Sequence, residues 1–135
     1  MSEGAAGEGA AQQPRTVLVV DDDEATRRLI RAVIEGLPVP CRVVEVPDGD
    51  SALAFARQTR PDLALIDIVL PGSSTSGVLV CAELCKDHRT KVVVVSGQAS
   101  ESVVEAALSA GAVAYVRKPF AVDDLQSKLV GWLTE

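Results

Sequence analysis

Short aliphatic runs recur along the chain at Val17–Val20, Cys41–Val46, Leu63–Ile66, Val92–Val95 and Val113–Val116. Uninterrupted apolar runs of this length, rich in β-branched residues, predict strands buried on both faces. Between them apolar residues return every three or four positions, which predicts helices. Leu29, Ile30, Val33, Ile34 and Leu37 mark the buried face of the first, with Asp23 and Glu24 near its positive end. Ala52, Leu53, Phe55 and Ala56 mark the second; Val78, Leu79, Ala82 and Leu84 the third. Val103, Val104, Ala107 and Leu108 mark the fourth, and Val122, Leu125, Leu129, Trp132 and Leu133 the fifth. Turn residues punctuate the joins: Gly36 with Pro38, Pro47 with Gly49, Pro61, Pro71-Gly72 and Gly111. Five strands alternating with five helices predict an α/β fold, a doubly wound five-stranded parallel sheet with right-handed crossovers, covered on both faces. Residues 1–14 offer little to bury and are expected to form a disordered leader; the folded domain then runs over 15–135.

Composition narrows the class. A chain of 135 residues has room for one domain with a real core. Aromatics make up only 3% against an apolar fraction of 47%, so Val, Leu, Ile and Ala must fill that core. A net charge of −6 without a Lys/Arg cluster argues against direct nucleic-acid binding, which demands a basic face. No apolar stretch approaches the roughly 20 residues of a membrane span. The N-terminus lacks the basic-then-apolar layout of a secretion signal. Three cysteines, an odd number, suit reduced thiols. The expectation is a soluble, acidic domain of the cytoplasm.

The polar residues that end the strands carry the chemistry. In a doubly wound sheet the C-terminal ends of all strands share one rim, where ligands bind. Asp21-Asp22-Asp23, Asp67, Ser96 and Lys118 each follow such an end. The second strand leads instead into Pro47-Asp48-Gly49, which fits an outer position beside the first. Carboxylates gathered at one rim repel: at about 5 Å and an effective dielectric of about 20, a pair costs about 3 kcal/mol. Such a cluster raises a pKa or recruits a hard cation, and oxygen ligands with open water positions suit Mg²⁺. A solvated acidic loop accounts for Asp23 and Glu24, near a helix start, but not for Asp67. Asp67 as nucleophile would form an acyl phosphate, with Ser96 and Lys118 taking the remaining phosphoryl oxygens. Singly, Ser96 reads better as a turn hydroxyl and Lys118 as a surface charge; their joint placement favours the site.

Two other groups read more plainly. Cys81, Cys85 and His88 fall at i, i+4 and i+7 and could share a helix face. A fourth zinc ligand is missing, and cysteines on a buried stripe behave as small hydrophobes. His88 is expected to complement a helix C-terminus. Trp132 is expected in the core, with a partner contact on the last helix as the alternative if it is partly exposed, and is a candidate fluorescence reporter of phosphorylation.

Taken together, Val17-Leu18-Val19-Val20-Asp21-Asp22-Asp23, Asp67-Ile68-Val69-Leu70-Pro71-Gly72, Val95-Ser96-Gly97 and Lys118-Pro119-Phe120 resemble bacterial response-regulator receiver domains. The resemblance runs in order from about Thr16 to Leu133 and includes Gly111-Ala112 and Tyr115. It implies the flavodoxin-like strand order 2-1-3-4-5 and a phosphoacceptor role for Asp67 in a two-component phosphorelay. The implied donor is a histidine kinase or a histidine phosphotransfer protein. Asp22 and Asp67 would ligate Mg²⁺ directly, Val69 would add its backbone carbonyl, and Asp21 would act mostly through water. Lys118 would contact the phosphoryl group, with a cis peptide before Pro119. Ser96 would swing inward on phosphorylation and Tyr115 would change rotamer behind it. That would repack the surface of the fourth helix, fifth strand and fifth helix, for binding a downstream target protein or effector domain or for homodimerisation. Val69 and Gln98 stand where the family tunes dephosphorylation. Such a protein is a signalling phosphoacceptor, self-catalysed in phosphorylation and dephosphorylation, rather than an enzyme.

One departure stands out. The family usually places a Gly about four residues after the proline that matches Pro71; here Gly77 comes six after it, so Gly72–Gly77 is about two residues longer. This bears on the start of the third helix and on kinase docking. Three rival readings share parts of the pattern. A haloacid-dehalogenase-like phosphatase would use Asp21 in the D-x-D of Asp21-Asp22-Asp23 but leaves Asp67 unexplained. A flavodoxin-like electron carrier would want a Ser/Thr/Gly loop where three acids stand. A non-phosphorylated receiver-like scaffold would not need the full Asp, Ser and Lys set. The residues up to Glu135 are expected to hold the receiver alone, which leaves a stand-alone regulator and a receiver from a longer chain both open.

Overall fold

A computed structural model describes residues 13–70 and 76–134. Met1–Gln12 of the expected leader and Pro71–Thr75 of the lengthened loop lie outside the described residues. Five strands alternate with five helices: β1 (Arg15–Val20), α1 (Glu24–Glu35), β2 (Cys41–Val46), α2 (Gly49–Gln58), β3 (Leu63–Ile66), α3 (Gly77–Cys85), β4 (Lys91–Ser96), α4 (Glu101–Ala110), β5 (Ala114–Arg117) and α5 (Val122–Thr134). The strands form one sheet in the order β2-β1-β3-β4-β5, every neighbouring pair parallel. This is the α/β architecture and strand order anticipated above, with β2 on the outside as its bare C-terminal loop suggested.

The alternation of side chains along each strand divides the core in two. Val17 and Val19 of β1 and Val93 and Val95 of β4 face one layer, packed on Ile30 and Ile34 of α1 and on Leu125, Leu129 and Leu133 of α5. Leu18 and Val20, with Val92 and Val94, face the other, packed on Ala52 of α2, Val80 and Leu84 of α3 and Ala107 of α4. Each Val, Leu or Ile so buried contributes on the order of 1.5–3 kcal/mol. Helix starts follow local polar chemistry: Asp23, Asp48, Ser76 and Ser100 each accept a hydrogen bond from a backbone N–H three residues on.

Several predicted helix faces need correcting. In α1, Leu29 is 45% exposed while Ile30, Val33 and Ile34 are buried. In α3 the buried residues include Val80, Cys81 and Leu84, and Leu79 turns outward at 59% exposure. Leu108 of α4 and Val122 of α5 are likewise exposed. The almost wholly apolar Gly77–Cys85 segment gives no unique stripe, so its rotation is set from outside. A Cβ on Gly77 would overlap the backbone of Ile68, so this helix starts hard against the residue after Asp67. Gly77 therefore holds the close approach despite its displaced spacing in sequence. Trp132 is partly buried against the α1/α5 layer rather than enclosed. Its carbonyl accepts a 2.9 Å hydrogen bond from Lys91 Nζ, at the N-terminal start of β4. That is the end of the sheet away from Asp67, so Trp132 is poorly placed to report on the rim. α3 ends at Cys85, which leaves exposed His88 beyond the helix and breaks the expected three-residue face. Cys81 and Cys85 approach to 4.0 Å, and burial pushes the Cys81 thiol up to about 12, the behaviour of a packed hydrophobe.

Gly77→Ala is expected to lower folding stability by roughly 1–3 kcal/mol, as overpacking against fixed backbone does. Gly131→Ala, in α5 with nothing within 4 Å of the added methyl, should instead raise it by about 0.5–1 kcal/mol. Urea titration of the two variants decides both.

Candidate functional site

Parallel pairing brings the ends of β1, β3, β4 and β5 to one rim. The Asp67 N–H donates to Val20 O at 2.9 Å, and the Lys118 N–H donates to Ser96 O at 3.1 Å. Asp67 and Lys118 thus sit one step past β3 and β5, held by the last rung of the ladder, while Ser96 is the final residue of β4. The side chains converge on a cleft of about 680 Å³ that includes Asp21, Asp22, Asp67, Val69, Ser96 and Lys118. One carboxylate oxygen from each of Asp21, Asp22 and Asp67 lies within 4.8 Å of the other two. Among the described residues this is the one group of three or more side chains able to hold a metal ion. The Cys81, Cys85 and His88 set does not form such a group.

Asp67 is 7% exposed and fully engaged. Its Oδ1 accepts from Ser96 Oγ at 2.9 Å and from the Val69 N–H at 2.9 Å; its Oδ2 accepts from Lys118 Nζ at 2.9 Å. Lys118 also donates to Asp21 Oδ2 at 2.7 Å, so one ammonium bridges two acids. Asp21 is 2% exposed, and burial pushes its carboxyl above the usual range despite the bonds from Lys118 and the Asp23 N–H. Burial pulls the Lys118 ammonium down, but its bonds to Asp21 and Asp67 together lift it above its ordinary value. Asp22 is exposed and faces the cleft. The Lys118–Pro119 peptide is cis.

Ser96 is buried, with its hydroxyl already turned onto Asp67. The Tyr115 hydroxyl donates to the Ser96 carbonyl at 3.0 Å, so Ser96 joins the rim to β5. Asp23 serves mainly as the cap of α1, accepting from the Thr26 N–H at 3.2 Å and the Thr26 hydroxyl at 2.5 Å. This gives the second acid of the D-x-D pattern a structural task. Sequence reading overlooked Arg27, whose Nη1 donates to the Asp21 carbonyl at 2.6 Å. The signal was available: Arg27 stands three residues before Ile30 and seven before Ile34, a charged residue on the buried stripe. Leu29, expected on the buried helix face, and Phe120, noted only as part of Lys118-Pro119-Phe120, also line the cleft.

The family model for the response regulator receiver domain matches residues 17–130. The chain belongs to that family. Among curated relatives, the KDP operon transcriptional regulatory protein KdpE of Escherichia coli K12 is 36% identical over 113 residues, covering 84% of this chain and 48% of KdpE. The DNA-binding response regulator MtrA of Mycolicibacterium smegmatis is 34% identical over 113 residues, with the same coverage. The chain therefore spans about half the length of these relatives. Among solved structures, a CheY-like receiver domain protein from Methanospirillum hungatei JF-1 superposes with a TM-score of 0.80 at 30% identity, covering 90% of this receiver and 94% of that chain. The Mn²⁺-bound form of response regulator Rcp1 superposes with a TM-score of 0.76 at 29% identity, covering 90% and 96%. Among the described residues no helix is long and apolar enough to cross a membrane.

Lys118→Met leaves two poorly solvated carboxylates without their shared cation. It is expected to cost the receiver about 2 kcal/mol at neutral pH, below the roughly 3–5 kcal/mol of a fully buried broken pair because Lys118 is partly exposed. The folded-state value of Lys118 is raised, so its contribution is complete below the ordinary 10.5 and is lost only as pH climbs through the raised value. Denaturation curves of parent and variant should differ up to that range and converge above it.

Proposed function

We propose that this receiver accepts a phosphoryl group on Asp67 from the phosphohistidine of a histidine kinase or phosphotransfer protein. A carboxylate oxygen of Asp67 attacks phosphorus, the phosphorus–nitrogen bond breaks, and the imidazole leaves with that electron pair. The observation that carries this reading is the pair of donors on Asp67, the Lys118 ammonium and the Ser96 hydroxyl, beside two further acids. Both donors are held before any phosphate arrives, so each can follow charge from the carboxylate onto phosphoryl oxygens with little reorganisation.

The donor set fits Mg²⁺: oxygen ligands only, three acids within reach, and an open cleft for water and phosphate. Asp22 and Asp67 would hold it directly with the Val69 carbonyl, and Asp21 through water. When bound, Mg²⁺ would screen the repulsion between the acids and an incoming phosphoryl group. The Mn²⁺-bound form of Rcp1 supports a divalent cation at such a site. Lys118 would serve as the site's own counter-charge and as a phosphoryl contact.

For output, the Ser96–Tyr115 link favours a switch in the α4, β5 and α5 surface: pulling on Ser96 shifts the carbonyl that anchors Tyr115. The proposed recipient is a target protein, an effector domain or a second copy. KdpE and MtrA are named as transcriptional and DNA-binding regulators. With a net charge of −6, this chain would leave any DNA contact to an effector domain.

Acetyl phosphate with Mg²⁺ should add one phosphoryl group, seen by intact-mass spectrometry as an adduct lost in hydroxylamine and mapped to Asp67. Asp67→Asn should show none, while Asp21→Asn should retain a slower reaction. An adduct that survives Asp67→Asn would overturn the assignment.

A further inference from the structure

Arg27 is a partly buried cation beside an acidic rim read as a cation site, where a positive side chain is the wrong sign for attracting a metal ion. Its side chain is 14% exposed. Nη1 donates at 2.6 Å to the carbonyl of Asp21, while Nε lies 3.3 Å from Glu45 Oε1 on β2. Glu45 is in turn held by Arg31 Nε at 2.6 Å, and that bond keeps its carboxyl below the usual range. Arg27 therefore arrives with its charge matched by a firmly ionised partner.

The atom it grips is decisive. The Asp21 carbonyl belongs to the peptide that joins Asp21 to Asp22, two of the three clustered acids. On the strand side, the Asp21 N–H is fixed to Val46 O at 3.2 Å. Asp21 Oδ1 accepts the Asp23 N–H at 2.9 Å. The carbonyl lies beyond the last paired residues of β1, Val20 with Val46 and Ile66, so the sheet ladder does not continue there. Fixing this peptide plane fixes the direction in which both acidic side chains leave the backbone.

We infer that Arg27 is a positioning residue, clamping the Asp21–Asp22 peptide so that both carboxylates aim at one cation, with Glu45 holding the clamp. The inference rests on the cation-binding reading of the site and adds a role for a residue that touches neither cation nor phosphate. Its signature is a sign reversal. Removing a positive charge near the rim should tighten Mg²⁺ binding by electrostatics alone, whereas loss of the clamp weakens it.

The test is Mg²⁺ affinity by calorimetry and by amide shifts of the rim, on the full chain. Arg27→Met should weaken Mg²⁺ binding about tenfold, the size of effect typical when a partner that orients a metal ligand is lost. Arg28→Met is the control: it removes the same charge from the same helix, where the exposed guanidinium pairs with Glu24 and touches neither Asp21 nor Glu45, and should leave Mg²⁺ affinity unchanged or slightly tighter. Equal or tighter Mg²⁺ binding by Arg27→Met overturns the proposal, as does a matching loss in Arg28→Met. Should Arg27→Met not fold, Arg27→Lys decides, because one ammonium cannot serve both the Asp21 carbonyl and Glu45. Its affinity should fall by a few-fold, and parent-like affinity overturns the clamp. A parent that shows no Mg²⁺ response refutes the cation site itself, an outcome distinct from failure of the variants alone.

Discussion

The ammonium of Lys118 is what lets this rim exist. Asp21 and Asp67 are both nearly excluded from water, and each presents an oxygen to the same Nζ, at 2.7 and 2.9 Å. Without that cation the two acids would repel in poorly solvated surroundings, and the C-terminal ends of β1 and β3 would be pushed apart. The pair is adjacent because β1 and β3 are adjacent, and Lys118 reaches both from β5 across β4. The strand order is therefore an electrostatic matter as well as a packing one.

The compensation is incomplete. Burial still holds the Asp21 carboxyl above its usual range, and exposed Asp22 adds a third acid within 4.8 Å. A site with one cation for three acids retains negative potential, and a divalent ion relieves it. In the proposed function, stability and activity pull in opposite directions: replacing an acid would ease repulsion and remove a proposed ligand together. The surrounding sheet supplies the reserve, since Val17–Val20, Leu63–Ile66 and Val92–Val95 are almost wholly buried.

How much of this was legible in the sequence follows from which forces are local. Buried strands announce themselves as apolar runs, so β2 and β3 were bounded to the residue and β1, β4 and β5 within two. Asp67, Ser96 and Lys118 were visible because polar residues ending apolar runs must share a rim in a parallel sheet. Helix rotation was less legible. Leu79 and Leu108 match the apolar period yet face outward; for α3 the face is set by packing such as Gly77 on the Ile68 backbone, which apolar periodicity does not encode. Arg27 left one trace, a charge on the buried stripe of α1, but its partners, a backbone carbonyl and a residue of β2, leave no pattern in the chain that would assign it a role.

Ser96 is the point where the rim meets the rest of the molecule. Its hydroxyl bonds Asp67, its N–H and carbonyl lie at the end of β4, and that carbonyl receives both the Lys118 N–H and the Tyr115 hydroxyl. A phosphoryl group on Asp67 would compete for the hydroxyl and for Lys118 at once, drawing on two residues tied to the same carbonyl. Tyr115 is half-buried on β5, so displacement at that carbonyl has a direct path to the exposed side of the strand. In the proposed function the coupling needs no long chain of contacts: one residue separates the acid that would be modified from the ring that would move.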